Sequence, residues 1–183
     1  MARLILVRHG EAARAYGRDA DPGLSPLGVA QAESVAEALA PLGPLPLLTS
    51  PMRRTQDTAA PLAAQWGVPV VVEPAVTEIQ APTEDRDGRQ AWIATILAAR
   101  WRDLDVGLQR WADAVVDFLL SVESDAVIVS HFVAINIAIG RAIGDDRVMA
   151  MRLGNCSQTL IGTDNGVLSL GEPPTALAVT EVL

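Results

Sequence analysis

The stretch Leu4-Ile5-Leu6-Val7-Arg8-His9-Gly10-Glu11 runs from an apolar segment directly into an arginine, a histidine and a glycine. A later stretch, Ala126-Val127-Ile128-Val129-Ser130-His131, ends in the same way. Short apolar runs of this kind are typical of buried strands in a parallel sheet. His9 and His131 are the only two histidines in the chain. Either one alone is more simply a core or surface imidazole, but together they indicate that two rings meet at strand ends and act as a pair.

Strand-like and helix-like segments alternate on both sides of these stretches. The predicted strands are 3–9, 45–49, 68–72 and 126–130, two antiparallel strands around the Asp164-Asn165-Gly166 turn, and a last strand near 176–182. The predicted helices are 25–40, 50–66, 90–102, 106–122 and 132–143, the first two beginning at Ser-Pro pairs. This alternation predicts a three-layer α/β/α sandwich whose central sheet is mostly parallel, with helices on both faces. We find no linker or internal repeat, so residues 1–183 are expected to form a single domain.

The composition excludes several classes of function. The chain has 183 residues and a net charge of −8, which argues against general nucleic-acid binding. All 14 basic residues are Arg, so a P-loop lysine, a Schiff-base lysine and the kinase lysine are all missing. Two His and one Cys are too few for a typical zinc site of four Cys or His ligands, and we expect no metal and no cofactor.

Location is predicted from the same sequence. The longest uncharged apolar stretch, residues 126–140, is too short to span a bilayer, and no signal peptide is evident at the start. Cys156 has no partner for an internal disulfide. We therefore expect a cytoplasmic protein with no membrane partner.

Five polar residues fall at the predicted carboxyl ends of the strands. Arg8 and His9 end the first strand, Arg54 begins the helix after the second, Glu78 follows the third, and His131 ends the fourth. Open α/β sheets bind ligands beyond this edge. Two imidazoles, two guanidinium groups and a carboxylate together predict a site for an anion and for proton transfer.

The same residues carry a family resemblance. Arg8-His9-Gly10-Glu11 resembles the R-H-G-E signature of the histidine phosphatase superfamily, which has the phosphoglycerate mutase-like fold. Further segments resemble that family's motifs in order, namely residues 24–32 (LSPLGVAQA), 50–59 (SPMRRTQDTA), 76–79 (VTEI), 129–131 (VSH) and 155–157 (NCS). The register of the second of these selects Arg54 rather than Arg53.

The resemblance implies phosphoryl transfer through a phosphohistidine. His9 would be the nucleophile, unprotonated at the attacking nitrogen. Arg8, Arg54 and a protonated His131 would surround the phosphate oxygens, helped by the first turn of the helix that starts at Ser50. Glu78 would protonate the leaving oxygen and then take a proton from the attacking water. No metal or cofactor is implied.

The chain also departs from the family pattern. Phe132 stands where glycine commonly follows the second histidine, and Tyr16 stands where many members have asparagine. Residues 80–83 read Gln-Ala-Pro-Thr, where a Gly/Trp-containing loop is usual. Glu78 also lies among other acidic residues, so a solvated acidic loop is an alternative interpretation. These departures leave the substrate and the alignment of Glu78 open.

Other polar and aromatic residues are given simpler roles. Glu11 is expected to form structural hydrogen bonds or ion pairs. Ser25 and Ser50 are predicted to be helix N-caps, and Asn155 a turn residue. The core aromatic residues are predicted to be Trp92, Trp101 and Trp111. The arginines at 14, 18 and 53 either meet an anionic substrate tail or face solvent.

The predicted function is a small, metal-independent phosphatase acting on a phosphorylated small molecule or protein. A mutase would need a substantial lid to exclude water, and the 52 residues between Glu78 and His131 are mostly taken up by two helices. A mutase, a phosphohistidine-protein phosphatase and a non-catalytic phospholigand-binding protein remain as alternatives.

Overall fold

A computed structural model describes residues 2–13, 21–83 and 85–172, and within them one mixed sheet carries the fold. Its strands are β1 (Ala2–Arg8), β2 (Leu47–Thr49), β3 (Val70–Val72), β4 (Ala126–Ser130), β5 (Gln158–Asp164) and β6 (Val167–Gly171). Their order across the sheet is β3-β2-β4-β1-β5-β6. The pairs among β1 to β4 are parallel, whereas β5 and β6 run antiparallel at one side. The mostly parallel sheet is confirmed, and the strand predicted near 176–182 lies outside the described residues.

Helices cover both faces of this sheet. They are α1 (Pro26–Leu39), α2 (Arg53–Trp66), α3 (Arg86–Ala98), α4 (Val106–Ser121) and α5 (Phe132–Ile143). Alternate residues of β1 point to opposite faces: Ile5 and Val7 pack with α1 and α2, whereas Leu4 and Leu6 pack with α4 and α5. The sheet therefore has one apolar core on each side, which confirms the predicted three-layer sandwich.

Two helices begin elsewhere than predicted. Helix α2 starts at Arg53 rather than Ser50, because the Ser50 amide still bonds to Val129 O (3.2 Å) and Met52 is extended. Helix α3 starts at Arg86 rather than at 90, because the Asp85 carboxylate caps it by accepting from Gly88 N at 2.7 Å. It also ends earlier, at Ala98, and a separate 3-10 turn follows at Trp101–Asp103. The Ser50 N-cap was thus a wrong prediction, whereas Ser25 does cap α1 by accepting from Gly28 N at 3.0 Å.

The turn after β1 is fitted tightly against the start of α1. Gln31 accepts a hydrogen bond from Glu11 N, and the Glu11 carboxylate accepts one from the Ser25 hydroxyl, both at 2.8 Å. A Cβ at Gly10 would lie 2.7 Å from Gly28 O, and a Cβ at Gly28 would collide with Glu11 O. The contacts of Glu11 are the structural ones predicted, and this packing holds His9 in place from its C-terminal side.

We expect Gly28→Ala to lower the free energy of unfolding by about 3 kcal/mol, because backbone atoms cannot move away from the new methyl group. Helix propensity alone predicts the opposite sign, a gain of up to about 1 kcal/mol. Urea unfolding followed by circular dichroism measures the difference. Gly154→Ala is the matched control, because a Cβ there meets nothing within 4 Å, and it should change stability by less than about 0.5 kcal/mol. A Gly28→Ala protein as stable as Gly154→Ala would contradict this account of the turn.

Candidate active site

His9 follows β1, and both of its backbone polar groups form hydrogen bonds. Its amide donates to Ser130 O (3.0 Å) on β4, and its carbonyl accepts from the Asn155 side-chain amide (2.9 Å). The ring nitrogen Nδ1 lies 2.7 Å from Gly10 O. A carbonyl only accepts, so Nδ1 carries the proton and Nε2 carries the lone pair. Burial, with help from the nearby arginines, lowers the pKa of His9 from 6.5 to about 4, which keeps this lone pair available near neutral pH.

His131 follows β4, is fully buried and lies beside His9. The ring centroids of the two histidines are 5.2 Å apart, with their planes at 62°. The structure thus brings the two histidines together at the carboxyl ends of adjacent parallel strands, as the sequence predicts.

A chain of hydroxyl groups fixes the tautomer of His131. Its Nε2 lies 2.6 Å from the Ser50 hydroxyl, which lies 2.9 Å from the Thr55 hydroxyl. The Thr55 proton goes to a backbone carbonyl, the nearer being Met52 O at 2.6 Å, so Thr55 accepts from Ser50. Ser50 in turn accepts from His131 Nε2–H. This leaves the Nδ1 lone pair of His131 facing Arg54.

Arg54 lies between the two rings, in the first turn of α2. Its Nε donates to His9 Nε2, and its Nη2 lies beside His131 Nδ1, with a distance of 3.2 Å in each case. Its Nη1 lies 3.8 Å from an Asp21 carboxylate oxygen, and that carboxylate also accepts from Arg53 N. One guanidinium therefore faces both imidazoles and is held from behind by Asp21.

Arg8 lines the same cavity as Arg54. Its Nη1 donates to Leu153 O at 2.5 Å, and the ring of Phe132 lies 5.2 Å from its guanidinium carbon. Its Nε is buried and has no hydrogen-bond partner in the described part of the protein. Arg8 as a residue lines a cavity, so its guanidinium charge is available to an anion bound there.

Glu78 lines a cavity of about 720 Å³ together with Arg8 and Arg54. Its Oε1 accepts from Ile79 N (3.0 Å), and its Oε2 lies 3.4 Å from Val133 N in the first turn of α5. Burial raises the pKa of Glu78, and the two backbone hydrogen bonds offset part of that rise. The segment before it is fixed by the Ser130 hydroxyl, which donates to Val76 O at 2.7 Å. Glu78 is therefore not part of a freely solvated acidic loop, which was the alternative interpretation of the sequence.

His131 is neutral in the protein by itself, whereas the protonated form was predicted for the complex with phosphate. Burial first, and then the charges of Arg54 and the neighbouring groups, lower its pKa to about 2, so the protein groups alone keep it neutral. A bound phosphate would bring negative charge to Nδ1 and raise this pKa, because an opposite charge favours the protonated form. The sequence does not show that a cation, Arg54, faces His131 directly.

Of the remaining sequence candidates, Arg53 lies outside this cluster. The Arg53 side chain is exposed and lies 3.7 Å from the Asp57 carboxylate, one turn further along α2. Arg14, Tyr16 and Arg18 fall outside the described residues. Asn155 is more than a turn residue, since it holds the carbonyl of His9.

The predicted aromatic core residues divide between two roles. Trp101 and Trp111 pack on each other with ring centroids 6.2 Å apart. Trp92 packs on the same core but also lines the cavity of Glu78, which the helical pattern did not predict. The contribution of Ser50, Thr55 and Asp21 was also missed, since a serine or an aspartate alone carries no signal of such a role.

Comparison with known proteins decides the family. The sequence pattern of the histidine phosphatase superfamily, branch 1, matches residues 4–172. The chain belongs to this superfamily. Its described part contains no group of three His, Cys, Asp or Glu residues that would hold a metal ion, and no helix in that part is long and apolar enough to cross a membrane.

Individual relatives of this histidine phosphatase superfamily member are distant. An uncharacterized protein of Mycobacterium tuberculosis (strain ATCC 25618 / H37Rv) is 42% identical over 77 residues, which cover 40% of this chain but only 38% of that protein. The protein named Probable phosphoglycerate mutase GpmB from Enterobacter sp. (strain 638) is 28% identical over 181 residues, covering 86% of this chain and 83% of the relative.

Solved structures agree with the fold of this chain. A phosphoserine phosphatase from Entamoeba histolytica superposes with a TM-score of 0.74 at 22% identity, covering 97% of this chain and 100% of that one. A mycobacterial glucosyl-3-phosphoglycerate phosphatase superposes with a TM-score of 0.67 at 24% identity, covering 93% and 98%. At these identities the likeness establishes the fold alone.

Proposed function

We propose that the protein is a phosphatase that hydrolyses a phosphomonoester through a phosphohistidine formed on His9. The observation that carries this proposal is the position of Arg54, whose Nε and Nη2 each lie 3.2 Å from a ring nitrogen, one on His9 and one on His131. A phosphate that approaches the lone pair of His9 Nε2 would also meet this guanidinium. Arg8, which lines the same cavity, supplies further positive charge for the same anion.

The first chemical step uses His9 and Glu78. The Nε2 lone pair forms a bond to phosphorus while the bond from phosphorus to the ester oxygen breaks. The leaving oxygen takes a proton from the Glu78 carboxyl group, whose raised pKa favours the protonated form. The products of this step are an alcohol, phospho-His9 and an ionised Glu78.

The second step returns the enzyme to its starting state. The Glu78 carboxylate takes a proton from water, the water oxygen bonds to phosphorus, and the bond from phosphorus to Nε2 breaks. Inorganic phosphate leaves, and Glu78 is protonated again. Throughout both steps, Arg8 and Arg54 stabilise the negative charge that develops on the phosphate oxygens. Fixed donors of this kind usually supply the largest part of the rate enhancement.

A mutase is the second candidate, and it is supported by the 28% identical relative named as a probable phosphoglycerate mutase. We favour the phosphatase because α3, α4 and the short 3-10 turn account for most of the segment between Glu78 and His131. Water must be kept from a mutase phosphoenzyme, and little of this segment is left to form a cover.

Phosphate release tests the proposal. The protein is incubated with EDTA and a panel of alkyl phosphomonoesters, including 3-phosphoglycerate, and both inorganic phosphate and isomerised product are measured. We expect phosphate from at least one compound, because the arginines supply the positive charge without a metal. Isomerised phosphoglycerate without phosphate would establish the mutase instead, and activity that EDTA abolishes would contradict the mechanism.

The pH dependence of kcat/KM follows from Glu78 and His9. His9 must be unprotonated, so its pKa of about 4 places the acidic limb near that value rather than near 6.5. Glu78 must be protonated in the first step, so kcat/KM falls as pH rises through its raised pKa. We expect Glu78→Gln to remove this basic limb and to lower kcat on an alkyl phosphate by about 10²- to 10⁴-fold.

The leaving group provides the control for this prediction. The p-nitrophenolate of p-nitrophenyl phosphate departs without a proton, so Glu78→Gln should slow phosphoenzyme formation from that substrate far less. Equal losses on both substrates, measured as single-turnover rates of alcohol release, would show that Glu78 is not the proton donor.

A further inference from the structure

We infer that the substrate carries an apolar group of ring size on its leaving alcohol, which binds between α3 and α5 beside the phosphate. This inference rests on the proposed phosphatase function and specifies the class of phosphomonoester. It concerns the part of the cavity that lies beyond Arg8, Arg54 and Glu78.

The size of the cavity is the first observation. At about 720 Å³, it falls within the range of roughly 300–1,000 Å³ that is typical of sites for whole organic ligands. A phosphate held by Arg8 and Arg54 uses only one end of such a space. The rest extends along α3 and is available to the leaving group.

The second observation is the chemistry of the walls. Beyond the phosphate end, the cavity is lined largely by apolar side chains from four segments: Met52, Ile79, Trp92, Ile93, Leu97 and Phe132. Polar residues of the lining, including Gln80, Thr83, Arg89 and Gln90, belong to the loop after Glu78 and to the start of α3. The interior therefore favours an apolar group, because burial of apolar surface is favourable and a sugar or glycerate hydroxyl there would lose hydrogen bonds with water.

The apolar walls are held in fixed positions. Phe132 is the first residue of α5 and lies over the Arg8 guanidinium at 5.2 Å. Trp92, Ile93 and Leu97 lie on α3 and pack against the core on the α4 and α5 side of the sheet. These side chains are half-buried, and we call the part of the cavity that they line the apolar slot. Walls that are already packed on the core bind a flat or compact group with little further loss of conformational freedom.

The positions of the arginines in the cavity lining also favour an apolar leaving group. Arg8 and Arg54 face the phosphate, and the third arginine of the lining, Arg89, is exposed on α3. A substrate with a second anionic group would have to reach Arg89, whereas one with an apolar group contacts the inner walls directly. The two classes of substrate are therefore separable by experiment.

The experiment compares phosphomonoesters whose leaving alcohols have similar reactivity. The kcat/KM of the full chain is measured for 2-phenylethyl phosphate, ethyl phosphate and 3-phosphoglycerate. We expect 2-phenylethyl phosphate to be preferred over ethyl phosphate by about 10- to 100-fold, since added apolar groups in a matching pocket have effects of this size. A preference for 3-phosphoglycerate, or equal values for the phenylethyl and ethyl esters, would overturn the inference while leaving the phosphatase intact.

Trp92→Ala should lower the ratio of the phenylethyl to the ethyl value. Trp111→Ala is the matched control, because this tryptophan is also helical and packed on the core but does not line the cavity. Ile93→Ala gives a second, smaller truncation of the wall if Trp92→Ala does not fold. A ratio lowered equally by Trp92→Ala and Trp111→Ala would count against the slot.

Binding separates failure of the inference from failure of the function. Affinities for 2-phenylethylphosphonate and ethylphosphonate, which cannot be hydrolysed, are measured by calorimetry. If no ester is hydrolysed but the phenylethyl compound still binds at least about tenfold more tightly, the phosphatase fails and the apolar slot stands. Equal affinities would overturn the slot whether or not the protein is a phosphatase.

Discussion

His9→Ala is expected to lower steady-state phosphate release from an alkyl phosphomonoester by at least about 10⁴-fold, the range seen when a nucleophile is removed. The reason is that Nδ1 of His9 is committed to Gly10 O, which leaves the Nε2 lone pair, beside Arg54, to attack phosphorus. His131 cannot take over, because it is completely buried (0% exposed, against 9% for His9) and its Nε2 is bonded to Ser50.

Phosphate binding by the same variant provides the control. Arg8 and Arg54 remain in His9→Ala, so inorganic phosphate should still bind within about tenfold of its affinity for the unaltered protein. Calorimetry measures this binding, and thermal unfolding checks the fold. A His9→Ala protein that folds, binds phosphate and still turns over at more than about one hundredth of the normal rate would exclude His9 as the nucleophile.

Arg54→Lys is expected to lower kcat/KM by about 10³-fold, although the charge is kept. The guanidinium reaches His9, His131 and the Asp21 carboxylate with three different nitrogens. A lysine has one nitrogen on a flexible stem and cannot reproduce this fork, and a single arginine directed at a transferring phosphoryl group typically contributes 10³- to 10⁵-fold.

The neighbouring arginine offers a matched comparison. Arg53 lies one residue earlier on α2, is exposed and is absent from the cavity lining, so Arg53→Lys should stay within about twofold of the unaltered protein. If the two variants lost activity equally, Arg54 would act through the stability of α2 rather than on phosphate. Steady-state kinetics with thermal unfolding as a check on folding distinguishes the two.

Elements with strong local signals were predictable from the sequence. Strand β4 and helix α5 have the predicted bounds, since an apolar run ends at Ser130-His131 and Gly144 closes the helix in the left-handed conformation (φ 70°). The turn at Asn165 and Gly166 also formed as predicted, with φ values of 49° and 76°. In each case the chain's own local chemistry decides the structure.

Features that depend on contacts between distant residues were not predictable in this way. Ser50 resembles an N-cap locally, but its hydroxyl is directed to a histidine 81 residues away. Asp21 accepts from Arg53 N across 32 residues, and Arg8 is oriented by Leu153 O across 145. Neither pattern nor spacing encodes such pairs. The sequence therefore predicted which residues meet at the site, but it did not predict the groups that orient them or the neutral state of His131.

Trapping the phosphoenzyme tests the central claim most directly. The protein is mixed with an excess of an ester shown to release phosphate, quenched in alkali within milliseconds, digested and analysed by mass spectrometry. The account predicts one phosphoryl group on the peptide that contains His9, stable in alkali and lost in acid, and absent in His9→Ala. A phosphoryl group on any other residue, or phosphate release at full rate with no phosphoenzyme formed in a single turnover, would contradict it.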